Sequence, residues 1–378
     1  MTDTGAGGTG GAAGSGGAAG ATGGRADGPV EVALERGAFV VSIDTEMAWG
    51  LAHRPDEARA AARRGDYDDE RRLVDAALAV FERHRIAATW ALVGHLFLDR
   101  CEAGPDGRPH PDLARPAYGW LGDRDWFAID PCATLDAAPA FYGRDLVERI
   151  RACPVEQELA CHGFSHLMAG DDGCGPEVLD SELAASAAAA RALGVELRSF
   201  VFPRNSIGHV ERLPAHGYVA YRGGRPRPAF AGRPPWARAA LRAVDRIRPL
   251  AGSAARPARH PAGVWNLPQT YLFAPATQRP RLPVAAWVRR PVARLRQAAR
   301  HRSLFHLWFH PYNLTAAPDR AIAALDRICA AAAGLRDAGR LDTVTMGQLA
   351  DRLAAAGAGR GSPSASAPAS SSVPATPG

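Results

Sequence analysis

At positions 39–43 the chain runs Phe-Val-Val-Ser-Ile and then breaks into Asp44-Thr45-Glu46. A short apolar run of β-branched and aromatic residues is the signature of a strand buried on both faces, the kind found in parallel α/β sheets. Two carboxylates at the end of such a strand sit at the rim of a core, where the ligand sites of these sheets lie. A lone Asp there could equally cap a following helix. The choice turns on what the other strand ends carry.

Strand-like and helix-like patterns alternate along the chain. Strands are expected at 38–43, 88–93, 158–160, 199–203, 264–273, 303–309 and 342–345. Helices are expected at 69–84, 143–151, 181–193 (with Ser181 as cap) and 321–335. In the first helix Leu73, Ala77, Val80 and Phe81 share one face at helical spacing. Repeated βα units imply a parallel sheet or barrel. The stretch 99–140, rich in Pro, Gly and Asp and holding Trp120, Trp126 and Asp130, reads as a long loop.

Composition sets the limits. The chain has 378 residues, of which 47% are hydrophobic, enough for one barrel-sized core. Residues 1–28 are Gly/Ala-rich and 356–378 Ser/Pro/Ala-rich; neither can offset its ordering entropy, so both are expected to be disordered around a domain at 29–355. No signal-peptide pattern opens the sequence and no apolar run reaches the ~20 residues of a spanning helix, which predicts a cytoplasmic enzyme. The six cysteines form no CxxC pair and read as reduced thiols, Cys161 as a small buried hydrophobe. The net charge of +6 comes with no lysine at all and with no nucleic-acid-binding signature, so no nucleic-acid partner is expected. From Arg222 to Arg302 the chain carries eighteen arginines against one acid, Asp245, an Arg-rich insert at about 223–300. Within it, 235–248 has the pattern of a basic amphipathic helix anchored by Trp236, which predicts a peripheral contact with anionic membrane; a helix packed on the barrel fits the same pattern.

The strand ends carry the chemistry. The first gives Asp44 and Glu46; the strand at 158–160 runs into His162 and His166 in HGFSH; that at 199–203 delivers Arg204 and Asn205 in FPRN; that at 303–309 delivers His306 and His310 in FHLWFHPYN. Two imidazoles and a carboxylate make a catalytic-type zinc set with an open position. A second carboxylate can take a proton from water, an arginine can hold it ionised, and a further imidazole can protonate a leaving amine or alkoxide. Together these describe hydrolysis of an amide or ester.

With these motifs in this order, the chain resembles the polysaccharide deacetylases with the NodB-like domain, carbohydrate esterase family four, over most of 38–350. IAATWALVGHLF at 86–97 also looks like that family's second-strand signature. The resemblance implies an irregular, partly open (β/α) barrel of about seven strands. It implies Asp44 as base, Glu46, His162 and His166 as ligands of one divalent metal, Zn²⁺ being the ion that suits them, Arg204 as the arginine that holds the base, and His310 as acid. Strand spacing does not separate His306 from His310; the flanking residues favour His310. Trp49, Asn205 and His306 are expected to contact the carbohydrate substrate. The sequence departs from the commonest pattern in Asp-Thr-Glu for adjacent Asp-Asp, and in Pro203-Arg204-Asn205-Ser206 for Arg-Pro-Pro-Tyr. The implied activity is removal of an N-acyl, most often N-acetyl, group from a saccharide, free or lipid-linked. A same-fold amidohydrolase on a small cyclic amide, or a catalytically silent sugar-binding relative, are the other readings.

Overall fold

The computed structural model describes residues 30–224, 234, 236–237, 255–278 and 280–359. Its centre is β2 (Gly37–Thr45), buried along its whole length. Odd and even residues of this strand face different layers. Phe39, Val41 and Ile43 pack outward against helices α2 (Asp66–His84) and Pro318–Asp337, among Leu73, Val74, Ala77 and Ile328. Ala38 and Val40 face inward, where small residues of neighbouring strands (Ala91, Ala160, Ala220) meet Leu304 and Leu267. Met346, Leu349 and Leu353 of the helix Met346–Gly359 join this inner layer. That helix runs into the segment expected to be a disordered tail from 356.

Around β2 the other strands assemble in one sheet: β3 (Ala88–Leu92), β4 (Gln157–Cys161), β5 (Ser199–Val201) and β6 (Ala220–Arg222) to one side, and β10 (Leu304–Phe309) and β9 (Tyr271–Leu272) to the other. Beyond β6 lies β8 (Trp265–Asn266), still parallel, then β7 (Ala258–Arg259) and β1 (Val30–Glu31), which pair antiparallel. A last strand, β11 (Leu341–Thr343), joins β2 beside Gly37–Phe39, where β3 does not reach. Among the described residues the sheet does not close. Parallel pairing runs through β8, β6, β5, β4, β3, β2, β10 and β9, so the barrel of about seven strands is present with a frayed, antiparallel margin.

Several boundaries differ from the sequence expectation for identifiable reasons. The single strand expected at 264–273 is split into β8 and β9, with Pro268 between them. Helix α4 (Pro176–Arg191) starts a turn before Ser181; Pro at its first position fits a helix N-terminus, and the Ser181 hydroxyl accepts from the Ala114 amide of the long loop instead. Strand β6, just before the Arg-rich stretch, was not anticipated. Residues 1–28, the terminal segment beyond 359 and most of 225–254 lie outside the described residues. The helix expected at 235–248 does so too, except for Trp236, which is exposed, and Ala237. Among the described residues no helix is long and apolar enough to cross a membrane, and all six cysteines are free.

A close approach of two backbones lies at the start of β2. A Cβ on Gly37 would stand 2.4 Å from the Ala298 carbonyl oxygen in the helix Val284–His301. Backbone cannot yield as a side-chain tip can. Gly37→Ala is expected to cost about 1–3 kcal/mol as overpacking, read as a lower midpoint in urea; an unchanged midpoint would refute this account of the β2–helix contact.

Candidate active site

The inward register of β2 continues past Val40 to Ser42, Asp44 and Glu46, and the same alternation brings His162 in after Ala160, Arg222 after Ala220, and His306 and His310 along β10. The polar residues therefore meet at the C-terminal ends of parallel strands, where barrels keep their chemistry.

Asp44 is buried and held by a bidentate ion pair. Its Oδ1 lies 2.5 Å from Nη1 of Arg222, and its Oδ2 lies 2.6 Å from Nη2. Burial pushes the Asp44 carboxyl up, but the Arg222 guanidinium, aided by His162 and His310, outweighs it and holds the group below the usual carboxylate range. Arg222 is itself fixed twice more: its Nη1 donates to Ser42 Oγ at 3.0 Å and its guanidinium lies 4.5 Å from the Trp308 ring centre. The Ser42 hydroxyl in turn faces Nε2 of His306 at 2.9 Å, while Nδ1 of His306 faces the Leu267 carbonyl at 3.1 Å. A carbonyl only accepts, so Nδ1 carries the hydrogen and Nε2 accepts from Ser42. Burial and the nearby Arg222 push His306 down to about 3, which keeps it neutral in this chain of bonds.

Glu46 forms the second cluster. Its Oε1 lies 3.0 Å from Nε2 of His162, 3.1 Å from Nε2 of His166 and 3.2 Å from Nε2 of His310. Burial raises the Glu46 carboxyl, yet His166 and His310 outweigh it and hold it well below its usual range. His162 donates from Nδ1 to the Val201 carbonyl at 2.7 Å, which turns the bare Nε2 lone pair toward the carboxylate. Lone pairs aimed at one another in a buried site call for a cation between them. Glu46, His162 and His166, with ligand atoms all within 4.8 Å of one another, are the donor set that fits one. Asp44, Glu46 and His310 satisfy the same distance condition.

His310 bridges the two carboxylates, its Nε2 3.2 Å from Glu46 Oε1 and 3.6 Å from Asp44 Oδ2. Its Nδ1 faces Asn313 Oδ1 at 3.1 Å, and the Tyr312 ring stacks on it at 4.4 Å. Burial pushes His310 down, but Glu46 and then Asp44 prevail and push it up to about 9; a cation between Glu46 and the imidazoles would oppose that charge. His306, four residues earlier, contacts neither carboxylate.

Three sequence expectations change. Arg204 does not reach Asp44: β5 ends at Val201, Arg204 sits in the following turn with φ of 53°, and its exposed guanidinium lies 2.8 Å from His53 Nε2. The arginine that holds Asp44 is Arg222. His306 is fully buried with both ring nitrogens engaged, so it positions Ser42 and Arg222 instead of touching substrate. Trp49 is likewise fully buried, donating Nε1 to the Phe141 carbonyl at 3.0 Å. Asn205 lies half-buried at the rim, its Oδ1 accepting from Gln269 Nε2 at 2.8 Å. Sequence reasoning also passed over Glu70 on α2, which burial and the Glu46 charge push up to about 8. Arg222 did carry a signal. Within Tyr218-Val219-Ala220-Tyr221-Arg222-Gly223-Gly224 a short strand ends in a charge before glycines, and a Cβ on Gly223 would stand 1.9 Å from the Asn266 side-chain Oδ1.

The backbone is strained around these residues. Met47, His166, Arg204 and Asn205 all have positive φ although none is glycine, a conformation kept only where surrounding structure enforces it.

No family model matches the chain, and no curated protein matches it in sequence. Solved structures do. A "putative polysaccharide deacetylase" from Mycobacterium smegmatis aligns with a TM-score of 0.55 at 16% identity, over 88% of this chain and 96% of that one. Weaker likenesses are a CE4 family pseudoenzyme from Bacillus anthracis (TM-score 0.41, 11% identity, 85% of this chain and 68% of that one) and a family 4 carbohydrate esterase from Streptomyces lividans in complex with acetate (0.35, 13%, 82% and 93%). The chain has the fold of the polysaccharide deacetylases, NodB-like and open at one side.

The exchange of arginines is measurable. Arg222→Ala strands a buried carboxylate and is expected to cost about 3–5 kcal/mol of stability, whereas Arg204→Ala, at an exposed site, should cost under about 1 kcal/mol. Urea unfolding of the two variants checks this; equal losses would return Arg204 to the position the sequence suggested.

Proposed function

We propose that the chain is a metal-dependent hydrolase that removes an N-acyl group, N-acetyl first among candidates, from a saccharide. The observation that carries this reading is the pairing of two buried carboxylates two residues apart: Asp44 gripped by Arg222, and Glu46 facing three imidazoles. One carboxylate is thus arranged to hold a proton acceptor in its ionised form, the other to complete a cation site.

A divalent ion held by Glu46, His162 and His166 would supply Lewis acidity toward the acyl carbonyl, and the imidazole–carboxylate donor set suits Zn²⁺. Asp44 accepts the proton of the attacking water, and Arg222 keeps its carboxylate charged and aimed. His310, its Nε2 3.2 Å from Glu46 Oε1 and its Nδ1 backed by Asn313, delivers a proton to the departing amine. The C–N bond breaks as the new C–O bond is completed, giving a free amine on the sugar and a carboxylic acid. Tyr312, half-exposed and stacked on His310, offers the flat apolar surface on which a sugar ring can rest. A lipid-linked saccharide is the substrate for which a membrane contact through 235–248 would be useful.

Acyl release should be followed over a panel of N-acetylated sugars, free, polymeric and lipid-linked, with metal content measured beside it. Asp44→Asn is expected to keep the metal and lose about 10²–10⁴-fold in rate, the range for a general base. Glu46→Ala should lose both. An Asp44→Asn variant that releases acyl groups at the wild-type rate would exclude Asp44 as the base, and a wild-type protein that binds metal and turns over nothing in the panel would favour a silent sugar-binding relative.

A further inference from the structure

The long loop that follows β3 contains a second group of metal-ligand side chains that the proposed hydrolysis does not use. His95 stands in the turn Gly94–Phe97, and Cys101, His110 and Asp130 come from the loop between Phe97 and α3 (Arg144–Arg151). Their four donor atoms lie within 4.8 Å of one another. Asp130 Oδ2 is the point of convergence: 2.8 Å from His95 Nε2, 2.7 Å from His110 Nε2 and 3.0 Å from Cys101 Sγ. The other carboxylate oxygen is already employed, accepting from the Cys132 amide at 2.9 Å and from the Tyr142 hydroxyl at 3.0 Å.

Proton bookkeeping argues for a cation. His95 Nδ1 lies 3.0 Å from the Phe141 carbonyl, so it carries the hydrogen and, in the neutral ring, leaves Nε2 as a lone pair facing the lone pairs of Asp130. His95 and the Asp130 side chain are fully buried, so water does not relieve that repulsion. A cation among the four atoms would turn it into coordination. The imidazole oriented by a carbonyl and the carboxylate oriented by a hydroxyl and an amide are the outer partners that metal ligands have. A tetrahedral zinc with ligands at about 2.0–2.3 Å separates its donor atoms by about 3.3–3.8 Å, so small outward shifts from the observed contacts make room.

We propose that His95, Cys101, His110 and Asp130 bind one Zn²⁺ as a closed, structural site that pins the 99–142 loop against the barrel. One sulfur, two nitrogens and one oxygen suit zinc over Mg²⁺ or Ca²⁺, and four protein ligands leave no position for substrate. On binding, the Cys101 thiol gives its proton to solvent and the thiolate joins the metal. The site differs in every residue from the Glu46 cluster yet is mechanically tied to it. The His95 ring packs on Trp49 at 4.5 Å, Trp49 and His95 donate to the same Phe141 carbonyl, and Trp49 belongs to the turn that follows Glu46. From the same loop, Trp126 Nε1 donates to Ser165 Oγ at 2.7 Å, inside the turn between His162 and His166.

The test is metal stoichiometry together with a spectrum that only a thiolate site can give. The full-length protein prepared with zinc is expected to hold two equivalents, falling to one in His110→Ala, to one in His162→Ala, and to none when both are changed. After exchange with Co²⁺, wild type and His162→Ala should both show the sulfur-to-cobalt charge-transfer absorption of the near ultraviolet, and Cys101→Ser should lack it. The wild-type spectrum needs no variant to fold. A single equivalent that vanishes in His162→Ala, with no sulfur–cobalt band, would overturn the loop site while leaving the Glu46 site standing. A band that persists in Cys101→Ser would overturn the ligand set. Loss of metal in the loop variants alone, with His162→Ala without effect, would uphold the loop site and refute the Glu46 cluster instead.

Discussion

A buried ion pair joins the ends of two strands that are not neighbours in the sheet. Asp44 closes β2 and Arg222 closes β6, on opposite sides of the barrel interior, and their two-point contact spans 178 residues of sequence. Charges taken from water to this depth are costly unless each is paired and hydrogen-bonded. The barrel meets that condition by devoting inward positions to it: Ser42 receives Arg222, His306 receives Ser42, and Leu267 receives His306. Each of these belongs to the layer just below Asp44. The interior is therefore apolar and small-residued toward the strand starts and a continuous polar network toward the strand ends, and the carboxylate pair lies at that boundary.

Much of this was legible because a strand's period is two. Once Phe39–Ile43 is read as a strand buried on both faces, Asp44 and Glu46 must share the inward face with Val40, and His162 and His310 follow by the same rule. The rule failed where a strand was mis-ended. Extending β5 by two residues to Pro203 turned Arg204 into a strand-end residue, when it stands in a strained turn facing His53. It failed again where composition masked a pattern: eighteen arginines made Arg222 look like one of a crowd, although its strand is only three residues long and ends in two glycines. Trp49 and His306 were misjudged for a different reason. Nothing in a sequence distinguishes an aromatic that faces a ligand from one that supports a residue that does; only burial decides, and both have none of their surface exposed.

The 99–142 loop had no periodicity to read, and its order comes from side chains gathered at separations no short motif covers. Asp130 collects partners from His95 to Tyr142, while Tyr118 both donates to the Met168 carbonyl and accepts from its amide. Such a loop behaves less as a connection than as a small layer of its own, laid over the turn that presents His162 and His166.

One feature of the sheet bears on how the molecule comes into being. The first long strand, β2, is flanked on one edge by β3 along Ser42–Thr45 and by β11 along Gly37–Phe39, and on the other edge by β10 along Ala38–Ile43. During synthesis β2 therefore emerges with most of its backbone donors and acceptors lacking their final partners, and more than 250 residues separate Ser42 from the His306 side chain it meets. Pairings this distant make for slow folding and a long interval with an unsatisfied, strongly apolar edge. Both edges of β2 can therefore be filled only after the last third of the chain, which carries β10 and β11, has left the ribosome.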